Sequence, residues 1–127
     1  MKDSNLWKDK GANKMTNKMN FILNIGLNDK KSHKQEIDTD TAINMVGKFI
    51  GNCTITTCVG FYMGERETSL KVEVYGISVE NAVGYAAYFA DILNQECVAL
   101  TSGDSTVFVY SESMDEYASI INTLKAA

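Results

Sequence analysis

From residue 20 to residue 28 the chain reads NFILNIGLN, with apolar residues at every second position. Phe21, Leu23, Ile25 and Leu27 take one side, and Ile22, Asn24, Gly26 and Asn28 the other. A period of two predicts a strand with one face on a core. After a charged loop over residues 29–37, the spacing lengthens to that of a helix. Ala42, Ile43, Val46, Phe49 and Ile50 make a single stripe over residues 38–51. Asp38 or Thr39 can cap its start, Asp40 suits the positive end of its dipole, and Gly51 can close it.

Residues 60–74 read GFYMGERETSLKVEV, the pattern of a hairpin. Treating Glu65-Arg66 as a two-residue turn sets Phe61 opposite Leu70, Val59 opposite Val72 and Thr57 opposite Val74. That register sorts both strands into an apolar and a polar face. The turn has no Asn-Gly signature, so a longer tip is also compatible.

Ser78 then caps a second helix over residues 79–95, with Val79, Ala82, Val83, Ala86, Phe89, Ala90 and Leu93 as its core stripe. Tyr85, Tyr88 and Ile92 widen the apolar arc, which predicts cover on two sides and a protein–protein contact over that flank. Short strands follow at 97–101 and 106–110, joined by the Ser102–Ser105 turn. Ser113 and Glu116 form a capping box that opens a last helix burying Met114, Tyr117, Ile120, Ile121 and Leu124. The order is β-α-β-β-α-β with an extra C-terminal strand and helix: an α+β, ferredoxin-like plan with an antiparallel sheet. Its helices cover one face. The other stays open and carries Asn24, Gly26, Cys58, Tyr62, Lys71, Glu73 and Tyr75, unless the third helix or a second subunit covers part of it.

Charge divides the chain. Residues 1–18 hold five lysines and two aspartates, which leaves −7 for residues 19–127 against −4 for the whole. The first segment reads as a disordered basic tail, and 19–127 as one domain. The acidic domain argues against a long nucleic acid as partner. No apolar run is long enough for a membrane helix, and no apolar segment follows the basic start as in a secretory signal, so the cytosol is the expected compartment.

The residue inventory holds little catalytic signal. Cys53, Cys58 and Cys97 have neither disulfide-framework nor zinc spacing, and Cys53 and Cys97 read as small hydrophobes. His33 is the only histidine, in a charged loop, and reads as solvent-exposed. No metal, cofactor or catalytic residue is expected from these positions. Glu65, Glu67 and Glu73 share one strand face, where they could do acid–base work or serve as a solvated edge. Arg66, the chain's one arginine, could fork onto an anion or remain in a charged turn. Tyr62 and Tyr75 on the open face would suit a stacked base or a dimer interface.

Together, NFILNIGLN, GFYMGERETSLKVEV and LNQECVAL resemble small phage and prophage accessory proteins over residues 19–110. Among these are the Thoeris anti-defence sponges, which bind cyclic ADP-ribose-type signals without cleaving them. The resemblance implies a non-enzymatic protein that sequesters a nucleotide signal in pockets between subunits of a homo-oligomer, in the host cytosol. Its ligand-binding candidates are Tyr62, Arg66, Lys71 and Tyr75, with Asn94 and Gln95 at the end of the second helix. Two other classes share the plan: an ACT-like module for small molecules or protein partners, and a small enzyme degrading a nucleotide signal with Glu67, Glu73 or His33 as acid–base groups.

Overall fold

The computed structural model describes residues 18–111 and 117–126. Eight elements follow one another: β1 (Lys18–Gly26), α1 (Thr39–Ile50), β2 (Thr54–Tyr62), β3 (Glu65–Ser78), α2 (Val79–Ile92), β4 (Cys97–Ser102), β5 (Ser105–Tyr110) and α3 (Tyr117–Ala126). The five strands form one antiparallel sheet in the order β2-β3-β1-β4-β5. This is the expected α+β, ferredoxin-like arrangement, with β5 added at one edge. The basic segment lies outside the described residues, apart from Lys18 in β1, and so does the Ser113/Glu116 capping box.

Alternation along β1 does what its spacing predicts. Phe21, Leu23, Ile25 and Leu27 are fully buried. They meet Leu70, Val72 and Val74 of β3, Val98 and Leu100 of β4, and the inward stripe of α2. Both long helices begin on the expected caps. Asp38 accepts a hydrogen bond from the Thr41 amide at 3.2 Å, and Ser78 accepts one from the Asn81 amide at 3.1 Å. Gly51 closes α1 at φ 91°, with its N–H on the Gly47 carbonyl. The Tyr85/Tyr88 flank of α2 is met from within the chain. Phe49 of α1 stacks on Tyr88 at 4.3 Å and stands edge-on to Tyr85.

Helix α3 takes the same side of the sheet as α2. Leu124 joins the core, and Lys125 pairs with Glu80 at 3.0 Å. Among the described residues, the opposite sheet face is therefore not covered by a helix.

The hairpin differs from its expected form. The turn is Met63-Gly64, and Tyr62 pairs with Glu65, Phe61 with Arg66 and Gly60 with Glu67. Both turn residues have positive φ, 53° and 81°, the signature of a type I′ turn. Its backbone twist matches that of the flanking strands, and this outweighs the poor fit of methionine to the left-handed region. Glu65-Arg66-Glu67 is thus strand, not tip. The shift is an even number of residues, so each side chain keeps its expected face while gaining a new partner. Replacing Met63 with asparagine is expected to stabilise the domain by up to about 1 kcal/mol, because asparagine tolerates that φ. A urea midpoint that stays put or falls would count against the turn assignment.

Candidate active site on the open sheet face

The strands that bury Leu23, Leu70 and Val98 on one side present their alternate residues on the other. Near the β2–β3 turn this open face sinks into a cleft of about 540 Å³. Asn24 and Gly26 of β1, Cys58, Gly60 and Tyr62 of β2, and Glu67 and Ser69 of β3 make its floor and one side. Gln95, Glu96, Cys97 and Ala99, with Phe108 of β5, form the far side. Asn28, Asp29, Lys30 and His33, from the loop after β1, close the end.

Hydrogen bonds fix this arrangement. Gln95 is buried at the end of α2 and donates through Nε2 to the Asn28 carbonyl at 2.8 Å and the Leu93 carbonyl at 3.2 Å. On its other side, Asn28 gives its backbone N–H to Glu67 Oε1 at 3.0 Å and its side-chain amide to the Arg66 carbonyl at 3.3 Å. The Asn28 peptide therefore links Gln95 to the Glu67 carboxylate. The loop beyond it is tied by Asp29, which accepts from the Lys31 and Ser32 amides and from the Asn94 side chain. The Asn94 contact, followed by the two amides, holds the Asp29 carboxyl below its ordinary range. Lys30 donates its N–H to the Asn94 carbonyl at 2.9 Å. His33, at φ 62°, reaches across to Glu65 with Nδ1 2.9 Å from Oε1.

The cleft is acidic. Asp29, Glu65, Glu67 and Glu96 face Lys30 and, when protonated, His33. Tyr62 donates to Glu96 at 3.0 Å, and this bond pushes its phenol up to about 12, so it stays a neutral donor. Burial, then Glu96 and Glu67, raise the Cys97 thiol. A raised thiol is a poor nucleophile at neutral pH. Among the described residues no cluster of His, Cys, Asp and Glu could hold a metal ion. The chemistry available is that of a carboxylate-lined pocket with aromatic walls, Tyr62 and Phe108, that fits a flat, cationic ligand.

The six ligand candidates separate. Tyr62 and Gln95 line the cleft. Asn94 lies behind it and braces Asp29. Lys71 pairs with Asn24 in the sheet but does not line the cleft. Arg66 shares the helix-side face with Thr68 and Leu70, and touches the site only through its carbonyl. Tyr75 sits ten residues beyond Glu65 on β3, roughly 30 Å from Tyr62 at strand spacing, and donates to Glu73 at 2.5 Å. Tyr62 and Tyr75 therefore do not form one stacking surface. Asn28, Asp29, Glu96 and Phe108 were not candidates from sequence. Asn28 acts through its backbone, and Glu96 only after α2 ends against β1. Glu67 and His33, named above under the enzyme alternative, both reach the cleft, while Glu73 does not.

No protein-family model matches this chain, and no curated protein matches it. Two solved structures share its fold. A phage SAM lyase in complex with S-methyl-5′-thioadenosine is 15% identical, with a TM-score of 0.54, over 84% of this chain and 96% of that one. A phage SAM lyase in the apo state is 16% identical, with the same TM-score, over 84% of this chain and 97% of that one. These structures overturn the expectation of a protein that binds without catalysing, because the proteins that share the fold are named as a lyase, an enzyme. Among the described residues no helix is long and apolar enough to cross a membrane.

Proposed function

We propose that this chain is a phage-type lyase that cleaves S-adenosylmethionine (SAM), or a close sulfonium analogue, in the cleft on the open sheet face. The observation that carries the reading is the Glu67 carboxylate. It is held on the cleft floor by the Asn28 amide and surrounded by further acids, in the fold shared with phage SAM lyase. SAM has a sulfonium, an ammonium and one carboxylate, so it enters an acidic cleft as a cation. A volume of about 540 Å³ falls within the range of small-molecule sites. Tyr62 and Phe108 offer faces for the adenine.

Release of methylthioadenosine requires the bond between sulfur and Cγ to break, with the electron pair going to sulfur and cancelling its charge. The four-carbon remainder is then completed in one of two ways. The substrate's own carboxylate can attack Cγ and close a five-membered lactone, which needs no external base. Alternatively, a base removes a Cβ proton and leaves an alkene. Glu67 serves the first route by holding the ammonium and thereby setting the carboxylate's approach, and the second by accepting the proton. Gln95 is a positioning residue in both, through the Asn28 peptide.

Such an activity would withdraw a small molecule from the host cytosol, which keeps the anti-defence role implied by the sequence resemblance and replaces capture with turnover. Val59, Phe61 and Met63 beside the cleft are 55%, 71% and 85% exposed, an apolar rim that a homo-oligomer would cover.

The test is incubation with SAM, followed by chromatography of the nucleoside and proton NMR of the four-carbon product, since the lactone and the alkene are isomers of equal mass. Many equivalents of methylthioadenosine per chain are expected, and the second product distinguishes lactone from alkene. Quantitative recovery of intact SAM, whether free or released on denaturation, would overturn the proposal.

A further inference from the structure

Gly26 lies in β1, the central strand of the sheet, where glycine is normally unfavourable. Its φ is outside the left-handed region, so the backbone does not require it. Its neighbour across the ladder is Ser69 of β3, two residues beyond Glu67. A Cβ added at Gly26 would lie 2.5 Å from both Cδ and Oε1 of Glu67. A Cβ carbon does not tolerate a non-bonded heavy atom at that distance. The Glu67 carboxylate therefore occupies the space of the missing side chain, leaning from β3 over β1 to reach the Asn28 amide.

On the other side of Glu67, its hairpin partner Gly60 is also bare. A Cβ there would come within 2.6 Å of Ser69 Oγ. The two glycines thus flank the strand that carries the carboxylate, but only Gly26 abuts the carboxylate itself.

We infer that Gly26 is a positioning residue: its missing side chain forms the seat that holds the Glu67 carboxylate flat on the cleft floor and on the Asn28 amide. This deepens the lyase reading and rests on it for the consequence in turnover. The seat itself does not depend on the substrate. Alanine at position 26 would force the carboxylate to swing out of the seat, away from Asn28. The loss would fall on kcat more than on KM, because the other cleft walls would still bind the nucleoside.

The test is a cycle of four chains: wild type, Gly26→Ala, Glu67→Ala and the double variant. Each is measured for urea midpoint and, where the wild type turns SAM over, for kcat and KM. In the wild-type background Gly26→Ala lowers the midpoint and reduces kcat at least tenfold. In the Glu67→Ala background the same change raises the midpoint, since the seat is empty and alanine suits a strand better than glycine. That reversal of sign supports the seat even if SAM is not the substrate. An equal midpoint shift in both backgrounds, or full kcat in Gly26→Ala where the wild type is active, would overturn it.

Discussion

Glu67→Gln is expected to reduce methylthioadenosine formation from SAM by about 100-fold or more, the scale on which a positioned carboxylate contributes to such chemistry. The change is nearly isosteric. Glutamine keeps an oxygen for the Asn28 amide, so the cleft, the loop and the melting temperature should change little. What disappears is the negative charge opposite the substrate's cationic groups. If the loss is in kcat alone, Glu67 acts in the transition state. If KM rises with kcat unchanged, it only binds. Normal turnover in a folded Glu67→Gln protein would remove Glu67 from the machinery and direct attention to Asp29, Glu65 and Glu96, the other acids of the cleft.

Phe89→Ala carries the largest expected effect on stability, a loss of about 3–5 kcal/mol. The ring is fully buried in α2 and stands edge-on to Phe49 of α1 at 5.7 Å. It also abuts Tyr85 and Tyr88, so its removal opens a cavity where α1 and α2 meet. Such a loss is a large share of the 5–15 kcal/mol typical of a domain. The urea midpoint should fall well below that of Phe49→Ala, since Phe49 is 50% exposed. A fall of under 1 kcal/mol for Phe89→Ala would mean that this junction is not the packed core described above.

The architecture was legible because its signals are local. Alternation in β1, the Asp38 and Ser78 caps and the α2 stripe each lie within a few residues. The hairpin register was less so. Tyr62-Met63-Gly64-Glu65 lacks the usual first residue of a type I′ turn, and an equally well-sorted register four residues away was available. The cleft was the hardest to read. Its acids come from β3, the loop after β1 and the end of α2, which meet only once the sheet has formed. Gln95 and Tyr62 could be singled out as polar and aromatic residues on promising elements. Asn28 could not, because its links to Glu67 and Gln95 are a backbone N–H and carbonyl that any residue but proline could supply. His33 is solvent-exposed, as its charged loop predicts, but its pairing with Glu65 across the cleft depends on a positive φ that the sequence does not announce. The alternation places Gly26 on the open face, and its use shows only beside Glu67.

The alternation that builds the sheet also shapes how such a protein can diversify. Asn24 of the cleft sits between buried Leu23 and Ile25, Ala99 between buried Val98 and Leu100, and Phe108 between Val107 and Val109 of the core side. Each strand thus encodes two surfaces in interleaved letters, one answerable to folding and the other to the ligand. A lineage can rewrite the second set one substitution at a time while the first keeps the chain folded. Descendants could come to act on different molecules, and differ at most positions, without passing through an unfolded ancestor.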